Sequence, residues 1–413
     1  MFVQTMVRES RMKIDLEEVF GVLPGSSKYS YEEIECVLES LLNHESGKSS
    51  VELFEQKFAD VFGVKHAIAC NSGTSGLHAA LYAAGVGPGD EVILPALTVI
   101  MDAYSVLHLG ATPVFADVDL ATHLMTASTI QEKLSEKTKA IITVSWEGLS
   151  CDMDPIMELA RSKGVVVIDD SARTVLATYH GRLAGTIADL SVFSFEAKKH
   201  ITCGGEGGMI VSNNSALATR ARKFAGIGYR HLTADAGRTH LAIESVQDPD
   251  YKRFDTMGLN YRMNEVSASV GLGQLARIEE IVGRRKEIGK IFLEETGGYS
   301  WFVPQLTPPG FEHSYYTFSV DYRGETETGL NWKDFYQKYK ALGGDGFYGC
   351  VAIPYLEPAL TGRVYGKQTL EKGIAPVAEG LQQRVMCFKT NYRDLDEARS
   401  KIQVLSQMLR AHK

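Results

Sequence analysis

Three short stretches of this sequence combine residue types that could do chemistry. The first is Ser194-Phe195-Glu196-Ala197-Lys198-Lys199-His200, which follows an apolar run and precedes the glycine-rich Gly204-Gly205-Glu206-Gly207-Gly208. A lysine is ordinarily a solvated surface charge. Where small residues bring backbone close to a ligand, a lysine can instead lose its proton and form a Schiff base with a carbonyl. The second is Asp169-Asp170, at the end of the apolar run VVVI. Such carboxylates could cap a following helix, or one could face a pyridine nitrogen and keep it protonated. At ~4 Å and an effective dielectric of about 20, that pairing is of order 4 kcal/mol before desolvation. The third is Asn71-Ser72-Gly73-Thr74-Ser75-Gly76, which opens the helix-like Leu77-His78-Ala79-Ala80-Leu81. Its N–H groups and hydroxyls could close on a phosphate, or simply cap the helix.

These residues need elements that hold them together. HAIAC, EVILP, TPVFADV, AIITVSW and VVVIDD read as strands, separated by helix-length segments such as SGLHAALYAAG, AYSVLHLG and MDPIMELARSKG and by an acidic-basic helix ending in KTKA. Near-continuous Val/Ile runs alternating with helices predict an α/β fold: a mainly parallel, seven-stranded type of sheet covered on both faces. Open parallel sheets place ligands at the C-terminal ends of their strands, which is where all three stretches fall. Ahead of the sheet, YSYEEIECVLESLLNH carries Ile34, Val37, Leu38, Leu41 and Leu42 at the spacing of an amphipathic helix. Past it, a long helical stretch from NEVSASVGLGQLARIEEI to IFLEET leads into mixed strands and helices. The expected organisation is a lead-in over 1–29, a large α/β domain over 30–275 and a smaller C-terminal α+β domain over 276–413.

Composition narrows the function classes. The 413 residues carry a formal net charge of -8, which argues against a nucleic-acid backbone binder. Cys36, Cys70, Cys151, Cys203, Cys350 and Cys387 are scattered with no CxxC pair, so reduced thiols are expected rather than a disulfide framework or a metal site. No run approaches the ~20 apolar residues of a membrane span, and the expectation is a cytoplasmic protein with no membrane partner.

Taken in order, these segments resemble the DegT/DnrJ/EryC1/StrS sugar aminotransferases, of the aspartate-aminotransferase fold. NSGTSGLHAAL is similar to that family's phosphate loop and VGPGDEVILPALT to its GDEVI-x-P-x-x-T stretch. HLGATPVFADVD, CDMDPI, VVVIDDSA, HGRLAGTIADLSVFSF, GGEGGMIVSN and MGLNYRMNEVSASVGLGQL follow at family spacing. The resemblance implies pyridoxal 5'-phosphate (PLP) held as a Schiff base on Lys199, with Asp170 on the pyridinium nitrogen. It places Gly73, Thr74 and Ser194 on the cofactor phosphate, and Asn260 on the phosphate of a neighbouring subunit. A homodimer with shared active sites is therefore expected.

The sequence departs from the family pattern in four places. Val99 stands where an aromatic ring usually stacks on PLP. Arg173 replaces a glutamine near the cofactor's phenolic oxygen. Ser145-Trp146-Glu147-Gly148 replaces His-x-Tyr-Gly. The glycine run GGEGG has one residue more than GEGG, so counting from one side aligns Lys199 with the catalytic lysine and from the other side His200; the serine five positions earlier, Ser194, selects Lys199. Arg173 could face the phenolic oxygen, pair with a carboxylate such as Glu147, or meet an anionic substrate.

The function implied is transfer of an amino group from an amino acid, glutamate by expectation, to a keto sugar that is usually nucleotide-linked. The alternatives are a PLP-dependent sugar dehydratase, in which histidine replaces the lysine, and a degenerate relative that binds PLP or a sugar nucleotide for regulation. Tyr315, Tyr348 and Tyr355 are candidate substrate-side aromatics, with core packing the commoner role.

Overall fold

The computed structural model describes residues 28–42, 49–237, 243–349, 353–366 and 368–412. Most of the expected lead-in, and Cys350, lie outside the described residues.

Two helices, α1 (Tyr31–Leu42) and α2 (Ser50–Phe62), come first. The chain then alternates through β1 (His66–Cys70), α3 (Gly73–Ala83), β2 (Glu91–Pro95), α4 (Ile100–His108), β3 (Thr112–Ala116), β4 (Thr138–Val144), α5 (Met153–Lys163) and β5 (Val166–Asp170). It continues through β6 (Leu190–Ser194), β7 (Gly208–Ser212) and α6 (Ser215–Ala225). The seven strands form one sheet in the order β1-β7-β6-β5-β4-β2-β3, in which β7 alone runs against its neighbours. Both faces are covered, so β6 and β7 are buried at every residue.

The acidic-basic helix expected before β4 is a single turn, Ala127–Gln131. KTKA instead runs into β4, because Ala140, Ile141 and Ile142 bury themselves between β2 and β5 and draw the segment into the sheet. The long helical stretch after the sheet is two helices, α7 (Glu265–Ala276) and α8 (Ile278–Thr296). They break at Arg277, whose guanidinium pairs with Glu33 and Glu280.

After α8 come β8 (Phe302–Pro304), β9 (Thr317–Tyr322), α9 (Trp332–Ala341), β10 (Tyr348–Gly349), β11 (Val385–Lys389) and α10 (Leu395–Arg410). The strands form an antiparallel sheet in the order β8-β9-β11-β10. An apolar cluster that includes Phe292, Phe318, Phe388 and Leu405 packs it against α8 and α10. The C-terminal part also returns to the large core: Ile353, Tyr355, Leu370 and Leu381 belong to the same buried cluster as β2, β4 and β5.

α1 is amphipathic, but its apolar stripe faces outward. Leu38, Leu41 and Leu42 are exposed, whereas Glu33 is buried and accepts hydrogen bonds from Gln274 Nε2 at 2.7 Å and Arg277 at 3.3 Å. Contact is close because position 273 is glycine; a Cβ there would lie 2.6 Å from the Glu33 Cα. Among the described residues no helix is long and apolar enough to cross a membrane.

Candidate active site

The end of β1 turns into α3 through Ser72, which caps the helix. Its hydroxyl accepts from Ser75 N–H at 3.1 Å, and its carbonyl accepts from Gly76 N–H at 3.1 Å. The first N–H groups of a helix have no intrahelical partner, so those of Gly73 and Thr74 remain for an anion at the positive end of the helix. Ser194, at the end of β6, closes the other side. A Cβ on residue 73 would stand 2.9 Å from the Ser194 Cβ and 3.3 Å from its Oγ, filling the space between them. The two segments, 121 positions apart in sequence, thus come together as one small polar cradle.

Next to the cradle, β5 delivers both aspartates, but no helix follows them, so they cap nothing. Asp169 points into the sheet layer. It accepts hydrogen bonds from Thr143 at 2.9 Å, Ser145 at 3.0 Å and Ser171, and burial raises its pKa to about 6. Asp170 accepts one bond, from Ala172 N–H at 2.9 Å. Burial raises its pKa, and Lys199 is the strongest influence opposing that rise. Lys199 is partly buried, with its amine 5.3 Å from the centre of the Tyr316 ring. Its pKa is pushed down to about 8, by burial first and by Arg173 second, against the pull of Asp170. No carboxylate among the described residues forms a salt bridge with this amine, so it is held ready to lose its proton.

His200 is buried, and its Nε2 donates to the Ser314 carbonyl at 3.1 Å. Lys198 is exposed. Buried Arg173 pairs with the buried carboxylate of Glu147 and lies 4.1 Å over the Trp146 ring and 5.0 Å from Tyr316. Two of the four departures from the family pattern are thus one ion pair. Glu147 has a left-handed backbone, φ 54°, and is further held by the Thr317 hydroxyl. A third carboxyl, Asp102 in the first turn of α4, is fully buried and takes a hydrogen bond from Thr98. Its Oδ1 has no partner, and burial followed by Asp170 raises its pKa well above the usual range.

A helix-end anion cradle, a buried carboxylate and a lysine of lowered pKa, each at the end of a strand, form a constellation that known proteins can be compared with. A model of the DegT/DnrJ/EryC1/StrS aminotransferase family matches residues 27–401. The chain belongs to that family. It is 44% identical over 236 residues to the GDP-perosamine synthase of Caulobacter vibrioides, 57% of this chain and 58% of that protein. It is 40% identical over 244 residues to the GDP-perosamine synthase of Escherichia coli O157:H7, 59% of this chain and 62% of that protein. The match therefore spans less than two thirds of the length of these curated relatives. Among solved structures, the aminotransferase from Psychrobacter cryohalolentis aligns with a TM-score of 0.84 at 29% identity, over 94% of this chain and 99% of that one. Aminotransferases of the DegT/DnrJ/EryC1/StrS family depend on PLP.

The residues of this DegT/DnrJ/EryC1/StrS chain suit that cofactor: the cradle would take its phosphate, Asp170 its ring nitrogen and Lys199 its carbonyl carbon. Gly73 and Ser194 are in contact range, and Asp170, Arg173 and Lys199 sense one another electrostatically. Val99 is the N-cap of α4, partly buried against the main core and without a ring to stack. Asn260 is exposed, and its Oδ1 accepts from Arg262 Nε at 3.0 Å. Among the aromatic candidates, Tyr355 is core, donating to Glu379 at 2.6 Å, and Tyr315 stacks on His313. Tyr348 is not core but 63% exposed on a strand, because β10 is an edge. The ring that does reach Lys199 and Arg173 is Tyr316, one residue on from the expected candidate. Asp102 and Tyr316 carried no sequence signal of their own; a buried acid in a helix looks like any surface acid until its surroundings are known.

Proposed function

We propose that this chain is a PLP-dependent aminotransferase that moves an amino group from an amino acid, glutamate in the first instance, to a nucleotide-linked keto sugar. The observation that carries this reading is the Lys199 amine, lowered to about 8 and set between Asp170 and Arg173 without a carboxylate bonded to it. Gly73, Thr74 and Ser194 would hold the cofactor phosphate, and Asp170 would keep a proton on the ring nitrogen. When bound, PLP supplies an electron sink for charge developing at the donor's Cα. Lys199, its amine lowered to about 8, would serve as the base that takes the proton from that Cα and as the acid that gives it back. The Arg173–Glu147 pair spends one edge of the guanidinium on Glu147 and fixes its plane on Trp146, which supports a positioning role beside the cofactor.

His200 has committed its Nε2 to a carbonyl, which favours Lys199 over a dehydratase histidine. The relatives named for GDP-perosamine synthesis support a GDP-linked acceptor. Phe254, Met257, Leu259 and Val266 are exposed around Asn260, Met257 at 93%, and with the outward stripe of α1 they support a homodimer in which Asn260 completes the partner's phosphate site. A cytoplasmic location is supported by the five described cysteines, which form no disulfide among the described residues.

Borohydride reduction of the PLP-loaded protein and peptide mapping test the reading, with the adduct expected on Lys199. An adduct on Lys198 would overturn the assignment. A cofactor absorbance band that shifts on adding glutamate is the expected spectrum; a band that does not shift selects the dehydratase, and no band at all selects a regulatory binding protein.

A further inference from the structure

Beside Lys199 lies a second cavity, of about 190 Å³. It is bounded by the 198–200 turn, by Arg284 and Arg285 of α8, by Lys28 ahead of α1 and by the 390–392 segment after β11. Among the described residues of its wall, Lys28, Lys198, Lys199, Arg284 and Arg285 are basic and none is acidic. Neither Thr74, Asp170 nor Ser194 lines it, so it is separate from the phosphate cradle and meets the site described above at the turn of Lys198, Lys199 and His200.

Two features make this an anion site rather than a chance gap, and a third, at His200, bears on what adjoins the anion. Arg285 is only 6% exposed and donates to the Tyr316 carbonyl at 3.0 Å and the Thr390 hydroxyl at 3.2 Å, with no carboxylate partner among the described residues. A buried cation without a counter-charge is unfavourable, and here burial pulls its pKa down to about 10. Lys28 and Lys198 likewise form no salt bridge among the described residues, whereas Arg284 is already paired with Glu280 at 2.7 Å. Finally, His200 Nδ1 is buried with no hydrogen-bond partner. Because its Nε2 must donate to the Ser314 carbonyl, Nδ1 presents a lone pair, which suits a ligand hydroxyl.

We propose that this cavity binds the diphosphate of the nucleotide-linked acceptor, with His200 Nδ1 accepting a hydroxyl of the adjoining sugar. The ligand's identity rests on the aminotransferase reading; the anionic class rests on the cavity itself. Its volume is below the roughly 300–1,000 Å³ of pockets that enclose a whole drug-sized ligand, so it suits one charged portion of a larger substrate.

Calorimetric titration of PLP-loaded protein with GDP, inorganic diphosphate and guanosine tests the proposal. GDP should bind, diphosphate should bind less tightly than GDP, both more weakly as salt rises, and guanosine should bind far less than either. Lys198→Glu, at an exposed position that folding tolerates, should weaken GDP at least about tenfold, and Lys198→Arg should restore most of it. Arg285→Met should do the same but could disturb folding, so Lys198 decides. Unchanged GDP affinity in Lys198→Glu, or guanosine binding as tightly as GDP, overturns the proposal. A diphosphate that binds without the nucleoside mattering marks the cavity as a general phosphate site and overturns its assignment to the acceptor. The glutamate-driven spectral shift of the wild-type protein is read separately: its absence with Lys198-dependent GDP binding removes the aminotransferase reading and leaves the anion site standing.

Discussion

At Lys199, burial and Arg173 oppose the charged amine, while Asp170, Glu196 and Glu147 favour it only in part. A folded-state pKa near 8 against about 10.4 unfolded means the unfolded chain binds more protons between those values, so this residue's contribution to stability rises with pH there and is lost as pH falls through about 8. Lys199→Met should therefore stabilise the cofactor-free protein by at most about 3 kcal/mol below pH 8, the gain shrinking toward pH 10. Urea denaturation of both proteins across that range checks it; a gain independent of pH would mean packing, not charge. Arg173 and Glu147 are coupled in the same way. Arg173→Gln leaves Glu147 buried and unpaired and should cost about 3–5 kcal/mol, while Arg173→Gln with Glu147→Gln should cost markedly less. Equal losses in the single and double variants would show that the pair is not the reason for either residue.

At the scale of elements, the contact between the start of α3 and the end of β6 decides whether a phosphate can be held. Gly73→Ala puts a methyl group 2.9 Å from the Ser194 Cβ, closer than side-chain carbons pack, so one of the two segments must shift. PLP affinity should fall by an order of magnitude or more, as two N–H donors lose their alignment, and Ser194→Gly should restore part of it by making space. Equilibrium dialysis with PLP reads both; full affinity in Gly73→Ala would place the phosphate elsewhere. The strands that frame this contact were legible from their Val/Ile runs. The shortened helix before β4 and the break at Arg277 were not, because sheet pairing in one case and an ion pair with α1 in the other overrode local pattern.

At the scale of the molecule, the exposed apolar residues around Asn260 and along α1 are more than an isolated chain needs. If a second copy covers them, Asn260→Ala should weaken PLP binding by about 1.5–3 kcal/mol, one hydrogen bond to a charged group, and dilution to monomer should release the cofactor. Sedimentation at falling concentration, with the cofactor band followed in parallel, tests this; a monomer that keeps full PLP affinity defeats it. The proposed division near residue 275 separates two sheets, yet Ile353, Tyr355, Leu370 and Leu381 return to the first core. A fragment ending at 275 would lack part of that core, so the two parts are joined by more than a linker.

What the sequence determined by itself is whatever depends on short-range order. The alternation of apolar runs fixed the sheet, the small residues after HAIAC fixed a helix start with free N–H groups, and the order of motifs fixed the family. Tertiary structure alone decided which charged side chains meet. Arg173 pairs with Glu147, one of the three roles the sequence left open for it, Asp102 is brought within the electrostatic influence of Asp170, and Arg285 is buried on a helix in the C-terminal half without a carboxylate partner among the described residues. Sequence spacing cannot reveal these, because an ionisable group's chemistry is set by burial and by neighbours a few ångströms away, and those arrive only when distant segments pack.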